Sequence, residues 1–383
     1  MNPAKTYDVA VIGAGVFGAW TAHALTGAGL KVILLDAYGA AHNRASSGGE
    51  SRIIRLGYGD DEIYTRWSQQ SLDAWKALAA RCGQPLFHET GVLWMASGDT
   101  ARLDRSAAVL TRLGLPFESL DAAELAKRYP QIAASDVRKA ILEPGSGSLM
   151  ARRAVFEVVR EAGRQGMDFA IAQVLAPEAA GKTAAVRTAR GESIAAGHYV
   201  YACGPWLGKV FPALLGSRIF VTRQEVVFLG VPPGDARFAP PALPTWIDAD
   251  SFYGMPDLES RGFKVANDVH GPRFDPDHGD RQLAPGALEP VREFLRRRFP
   301  DLAGAPVVES RVCQYENTSN GDFLIDRHPE HPNVWLAGGG SGHGFKHGPA
   351  FGAYLAARIT GSGEAEPRFS LAGKATVQQR AVF

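Results

Sequence analysis

The stretch Tyr7-Asp8-Val9-Ala10-Val11-Ile12-Gly13-Ala14-Gly15-Val16-Phe17-Gly18 decides the fold. Its first half is a short, mostly apolar run of the kind that fills a buried parallel strand, and it leads straight into Gly-X-Gly-X-X-Gly. Ala19 to Ala28 is alanine-rich with apolar residues at helical spacing, and Gly29 can stop a helix. Lys31-Val32-Ile33-Leu34-Leu35 then reads as a second strand ending on Asp36. Strand, helix and strand make a complete βαβ unit. In such a unit Gly13 permits the tight turn, Gly15 lets the backbone approach a pyrophosphate, and Gly18 packs helix on strand. The N–H groups at the helix start face the anion. Asp36 is placed to accept from a ribose hydroxyl, and an acid there disfavours the 2′-phosphate of NADP. At this point FAD and NAD both fit.

Working outward, 383 residues with 45% hydrophobic and 21% charged can bury a sizeable core and suggest two domains. Lys and Arg number 41 against 40 Asp and Glu, a formal net charge of +1 with no long run of one sign, which points away from nucleic-acid and membrane-surface partners. Arg296-Arg297-Arg298 is the densest basic cluster and reads as the solvated last turn of a helix from Pro290 to Phe299. No charged-then-apolar leader precedes the first strand, and no apolar run is long enough to span a bilayer. Cys82, Cys203 and Cys313 have neither metal nor redox spacing, so a reducing cytoplasm and no metal site are expected.

Beyond Asp36, a loop rich in glycine, serine and alanine (37–49) is placed to wrap a bound cofactor, and Arg52 and Arg55 follow it. A helix is predicted from about Asp61 to Arg81, then a short strand pair around Gly91 to Met95 and two further helices, the second opened by a capping box at Asp121 and Glu124. Glu143 to Ser148 reads as a turn cluster where the chain crosses between domains. A helix from Ala151 to Gln165, a strand from Asp168 to Val174 and a hairpin at Arg190-Gly191 come next. His198 to Ala202 should return to the first sheet. From Phe220 to Glu316 longer antiparallel strands dominate, Phe220 to Phe228 being the clearest.

The C-terminal quarter chooses between the cofactors. Two strands, Asp322 to Asp326 and Asn333 to Ala337, precede Gly338-Gly339-Gly340-Ser341-Gly342-His343-Gly344-Phe345-Lys346 and a helix from about His347 to Arg358. A second glycine loop at a helix N-terminus aims backbone donors and a helix dipole at another part of the ligand. NAD has no such need. A flavin does, because its pyrimidine end becomes anionic on two-electron reduction.

These motifs, together with Ser51-Arg52-Ile53-Ile54-Arg55, Gly204-Pro205-Trp206, Cys313-Gln314-Tyr315 and Phe323-Leu324-Ile325-Asp326-Arg327-His328-Pro329, resemble in the same order the monomeric sarcosine oxidase and N-methyltryptophan oxidase family. These are D-amino-acid-oxidase-like flavoproteins. The resemblance covers essentially the whole chain. It implies an α/β protein in which a Rossmann-like FAD-binding domain (1–85, 143–219 and 321–383) is interleaved with an α+β substrate domain (86–142 and 220–320) on a mostly antiparallel sheet. It also implies a monomer that oxidises the secondary amine of an N-methyl or cyclic amino acid to an imine and reduces O2 to H2O2. A dehydrogenase of the same fold that passes electrons to a quinone or carrier protein is the alternative, as is a non-catalytic FAD-holding subunit of a larger assembly.

Carried over residue by residue, the resemblance puts Cys313 where the family's cysteine joins the flavin ring by a thioether. Lys264 falls on the lysine that meets oxygen, Arg55 and Lys346 on the two cations that hold the substrate carboxylate, and Arg52 on a second arginine near the flavin. Tyr253 and Tyr315 fall on aromatic positions of the substrate cavity. Cofactor contacts are expected from Gly13, Gly15, Val16, Phe17, Gly18, Asp36, Ser47, Arg52, Val174, Gly204, Trp206, Cys313, Gly340, Gly342, Gly344, Phe345 and Lys346. The chain departs from the family in two places: Ser47 and Gly48 stand where a histidine pair is expected, and Asp268 stands where the substrate-site histidine is expected, with His270 two residues on. An acid beside the amine would select a more basic or longer substrate than sarcosine.

Overall fold

The computed structural model describes residues 6–178, 180–249 and 251–380. The opening stretch folds into strand β1 (Thr6–Ile12), helix α1 (Val16–Gly27) and strand β2 (Val32–Asp36). β1 lies between two parallel neighbours, with Ile12 beside Leu35 of β2 and beside Tyr201 of the strand Ser193–Tyr201. A strand enclosed in this way reads as a continuous apolar run. Gly13 has φ +106°, and a β-carbon there would sit 2.3 Å from the Ala202 carbonyl oxygen, so only glycine closes this turn.

The first sheet has seven strands. Its path runs Leu324–His328, His331–Gly338, Ser193–Tyr201, β1, β2, Asp168–Ile171, and Ala185–Arg187 pairs antiparallel with Ser193–Tyr201. The passage through His198 therefore does return to this sheet, parallel to β1. The strand from Asp168 ends at Ile171 rather than at Val174, because the chain there turns away and Val174 makes only an isolated bridge to Thr188. One face of the sheet packs Val9, Val11, Leu34 and Trp335 against α1 and the helix Gly348–Thr360; the other face packs Ile12, Leu35, Tyr201 and Leu336.

A second sheet of eight strands runs Val307–Asn317, Phe220–Leu229, Phe263–Asn267, Phe252–Met255, Thr245–Asp248, Val92–Ala96, Lys139–Glu143, Glu118–Leu120. Its neighbours are antiparallel except Val92–Ala96 with Thr245–Asp248. The expected local strand pair around Gly91 to Met95 is corrected here: the partners of Val92–Ala96 are distant in sequence. The long pair Phe220–Leu229 and Val307–Asn317 sets Cys313 opposite Gln224 and Tyr315 opposite Thr222. In a third, small sheet Gly147–Leu149 lies between Arg52–Ile54 and Phe87–His88, so part of the expected turn cluster is strand.

The capping box forms as read: Asp121 accepts from the Glu124 N–H at 2.8 Å and Glu124 accepts from the Asp121 N–H at 2.9 Å. The basic cluster is not solvated throughout. On helix Leu288–Arg298, Val291, Phe294, Leu295 and Arg298 form one buried face at helical spacing, and Arg298 is 0% exposed. It bonds Asp248 at 3.1 Å and Asp136 at 2.8 Å, which satisfies a charge that burial would otherwise make costly.

Candidate active site and cofactor cradle

Two cavities meet above the C-terminal end of β1. The larger, about 420 Å3, runs from the β1–α1 turn to the C-terminal glycine loop, and the smaller, about 170 Å3, lies against the second sheet. Arg52, Cys313, Tyr315, Gly342 and Phe345 line both.

The larger cavity is lined by Gly13, Gly15, Val16, Phe17, Asp36, Ser47, Val174, Gly204, Trp206, Gly340 and Gly344 as well as by four of the shared residues expected to touch the cofactor, Arg52, Cys313, Gly342 and Phe345. Two expected cofactor residues stand apart. Gly18 lies under the turn, where a β-carbon would meet the Gly13 carbonyl oxygen at 1.8 Å, and Lys346 lines the smaller cavity instead. A β-carbon on Gly15 would touch only Ser47 Oγ at 3.5 Å, so its glycine serves the cavity rather than the protein packing. Asp36 Oδ2 accepts from the Ala14 N–H at 2.7 Å and Oδ1 from the Tyr38 and Gly39 N–H groups at 2.8 and 3.0 Å, fixing the carboxylate at the cavity edge. At the far end Gly344 lets the second glycine loop pack on Phe17, since a β-carbon would lie 2.6 Å from that ring. An elongated cavity, bounded by one helix N-terminus, an acid at a strand end and a second glycine loop before a helix, fits FAD.

The smaller cavity collects the charged residues. Arg55 is buried, donates to the Gly57 carbonyl, and lies 4.1 Å from the Tyr58 ring centroid and 4.7 Å from that of Trp94. Lys346 Nζ donates to Tyr58 Oη at 3.0 Å and to the His343 carbonyl at 2.9 Å. Burial, then the Arg55 charge, pulls the Lys346 amine well below its ordinary range. Lys264 Nζ donates to the Ser51 carbonyl at 2.9 Å, and burial followed by the Arg52 charge lowers it likewise. Arg52 donates to the carbonyls of Ser51 and Ser46 at 2.7 and 2.5 Å and reaches Cys313 Sγ at 3.6 Å. Tyr253, Tyr315 and Asp268 form a chain: the two phenol oxygens are 3.4 Å apart and Tyr315 donates to Asp268 Oδ1 at 2.7 Å. Burial raises the Asp268 carboxyl, against the opposing effect of the Tyr315 hydrogen bond and of Arg55, Lys346 and Arg102. His270 points elsewhere, its Nδ1 2.9 Å from Gln378 Nε2.

Three contributors escape a sequence reading. Glu143 is buried, and its carboxylate accepts from the backbone N–H groups of Leu56 and Gly57 at 2.6 and 2.9 Å, from Trp94 Nε1 at 2.9 Å and from Ser146 Oγ at 2.7 Å. It thereby holds the Gly57 carbonyl that Arg55 uses. The signal was an acid ending the apolar strand Ala140-Ile141-Leu142. Glu316 lies under the C-terminal glycine loop, accepts from the Gly339 N–H, and is pushed by burial up to about 7. Arg102 also lines the smaller cavity, although an arginine opening an amphipathic helix carries no mark of it in the sequence.

Comparison with known proteins fits this geometry. A profile described as FAD dependent oxidoreductase matches residues 8–358. The chain is 31% identical to the monomeric sarcosine oxidase of Streptomyces avermitilis over 364 residues, covering 93% of this chain and 94% of that protein. It is 30% identical to the human peroxisomal sarcosine oxidase, covering 96% and 98%. The crystal structure of L-proline dehydrogenase from P. horikoshii shares the fold at TM-score 0.84 and 21% identity, over 96% of this chain and 97% of that one. The protein is thus an enzyme of the D-amino-acid-oxidase-like FAD-dependent oxidoreductase family, with the sarcosine and N-methyltryptophan oxidases among its relatives.

Proposed function

We propose that the protein oxidises the secondary amine of an N-methyl or cyclic amino acid to an imine that hydrolyses in water, with O2 reduced to H2O2. One observation carries this reading: Arg55 and Lys346 stand buried on a cavity that adjoins the cofactor cavity, and each bonds only carbonyl, phenol and ring groups among the described residues. Two buried cations that hydrogen-bond no carboxylate among the described residues are costly, and a substrate carboxylate removes that cost. The planar fork of Arg55 and the point charge of Lys346 would fix that carboxylate and so position the amine.

FAD, bound along the larger cavity, supplies the two-electron acceptor that O2 reoxidises. Asp268 has Oδ1 engaged by Tyr315, which leaves Oδ2 to hold or take the proton of the amine, and its raised pKa suits that exchange. Arg52 holds positive charge at the junction of the cavities, and Lys264 Nζ stabilises negative charge developing on oxygen. Cys313, whose Sγ lies at the same junction, would hold the flavin as a thioether. With Asp268 on the cavity wall, a more basic or longer amine than sarcosine is the substrate.

The test is an anaerobic titration of the purified yellow protein with sarcosine, other N-methyl amino acids and cyclic imino acids, following the flavin spectrum before admitting air. Bleaching by one compound, with colour and peroxide returning on aeration, is expected. Bleaching that air does not reverse would show a dehydrogenase instead, and no bleaching at all would overturn the reading.

A further inference from the structure

Among the described residues three acids line the larger cavity, and two of them are held as carboxylates. Asp36 accepts from three backbone N–H groups, and Asp277 accepts from Trp206 Nε1 at 2.7 Å and pairs with Lys209 at 2.6 Å. Glu316 is different. It is 6% exposed and its Oε1 accepts from the Gly339 N–H. The groups that bear on its charge are the backbone N–H groups of Gly339 and Gly340, with no cation among them.

The fold makes room for this side chain. A β-carbon on Gly338 would lie 2.4 Å from Oε1 and one on Gly204 3.2 Å from Oε2. Gly204 lines the cavity and Gly338 does not, which puts Oε2 on the cavity side. Of the elements packed on it, strand Phe220–Leu229 presents Val221 and strand His331–Gly338 presents Gly338. The turn at Gly204 brings Cys203, whose thiol is raised by burial and then by Asp36 and Glu316, and so stays neutral. The cavity fits an anionic dinucleotide, and a buried carboxylate without a cation would repel it. A protonated carboxyl does the opposite: it offers one O–H donor and keeps an acceptor for Gly339. Burial pushes the group up to about 7, so the proton is at hand near neutral pH.

We propose that Glu316 is a cofactor-binding residue that works as a carboxylic acid, its Oε2–H donating to an oxygen of FAD while Oε1 stays on the Gly339 N–H. FAD loading then takes up about one proton, and affinity falls as pH rises through the range where the empty site ionises. This holds whichever amine is oxidised, so a failure here leaves the amine-oxidation reading standing.

In the holoenzyme at pH 7.5, infrared difference spectra of wild type against Glu316→Gln should show the carbonyl stretch of a protonated carboxylic acid in the wild type. Full-length apoprotein of Cys313→Ala, from which FAD exchanges freely, is titrated with FAD at pH 6 and pH 8.5 by flavin fluorescence. FAD is expected to bind about tenfold more weakly at pH 8.5. Adding Glu316→Gln, which keeps one donor and one acceptor, should hold the affinity within about threefold of the pH 6 value at both pH values. His42, beside Asp36 at 3.8 Å and lowered by burial, also lines this cavity, and any part it has in the pH dependence survives in that double variant. Glu316→Ser, another uncharged donor and acceptor, decides the same question should the glutamine variant lose its fold. Carboxylate bands in place of the acid stretch, an FAD affinity that holds or rises with pH, or an equal fall in the uncharged variant overturns the inference.

Discussion

Lys264 shows how much a single residue can be asked to do here. It is 3% exposed, its hydrogen bonds among the described residues go to the Ser51 carbonyl and hydroxyl, and Arg52 lies close enough to lower its pKa further. Such a cation is valuable only when negative charge appears beside it. Lys264→Met should therefore slow reoxidation by O2 by about 100-fold while changing flavin reduction by substrate less than about threefold. Stopped-flow measurement of the two half-reactions separates these, and equal loss in both would sink the role. Cys313→Ala should release FAD into the supernatant on acid precipitation, whereas a pellet that stays yellow contradicts a thioether at this residue. Glu316 makes a prediction about stability. Its folded-state pKa of about 7 lies above that of an ordinary carboxyl, so the folded chain keeps a proton that the unfolded chain has released. That stability is full below the ordinary carboxyl pKa and is lost as pH rises through 7. Glu316→Gln should gain on the wild type by about 3 kcal/mol between pH 5 and pH 8, read from urea unfolding at both values. A gain that does not grow with pH would show that Glu316 titrates normally.

At the scale of elements, the two glycine loops divide their glycines between packing and ligand. Gly18 and Gly13 are needed by the protein itself, since side chains there would run into backbone oxygens at 1.8 and 2.3 Å. Gly15 is needed only by what occupies the cavity, because it has ordinary φ of −76° and no close neighbour. Gly15→Ala should accordingly leave the thermal melt of the apoprotein within a few degrees of wild type while the FAD-to-protein ratio falls severalfold. Gly18→Ala should lower the melt itself. Loss of FAD without loss of fold in both variants, or in neither, would contradict this division. The helix Leu288–Arg298 follows the same logic of position: its seventh-residue spacing from Val291 carries Arg298 inward while Arg296 and Arg297 stay exposed.

At the scale of the whole molecule, the candidate active site is assembled where the two large sheets come together. Arg52 lies on the small third sheet with Arg55 just beyond it, Lys264 and Cys313 rise from the second, and Lys346 comes from the C-terminal loop. Stability of the second sheet depends on polar contacts as well as apolar ones. Arg298 ties Asp248 on one strand to Asp136 and the Ala133 carbonyl on the loop after Arg128. Arg298→Ala leaves the fully buried Asp248 without this partner and should cost about 3–5 kcal/mol, measurable by urea unfolding. A change under about 1 kcal/mol would mean that Arg297, 3.6 Å from Asp248, takes over the pairing.

The sequence by itself determined the βαβ unit, the two glycine loops, the capping box at Asp121 and the long strand from Phe220, because each depends on interactions among residues close in the chain. It also determined FAD as the cofactor and the family, through motifs whose glycines and acids have local geometric causes. Only the tertiary structure decided the partners of Val92–Ala96, the burial of Arg298 and the placing of Lys346 on the smaller cavity and not on the larger. The same holds for Glu143, Glu316 and Arg102, whose neighbours lie up to 87 residues away in the case of Glu143 and Leu56. A charged side chain looks the same in sequence whether water or a cavity surrounds it, and the packing of distant strands makes that choice.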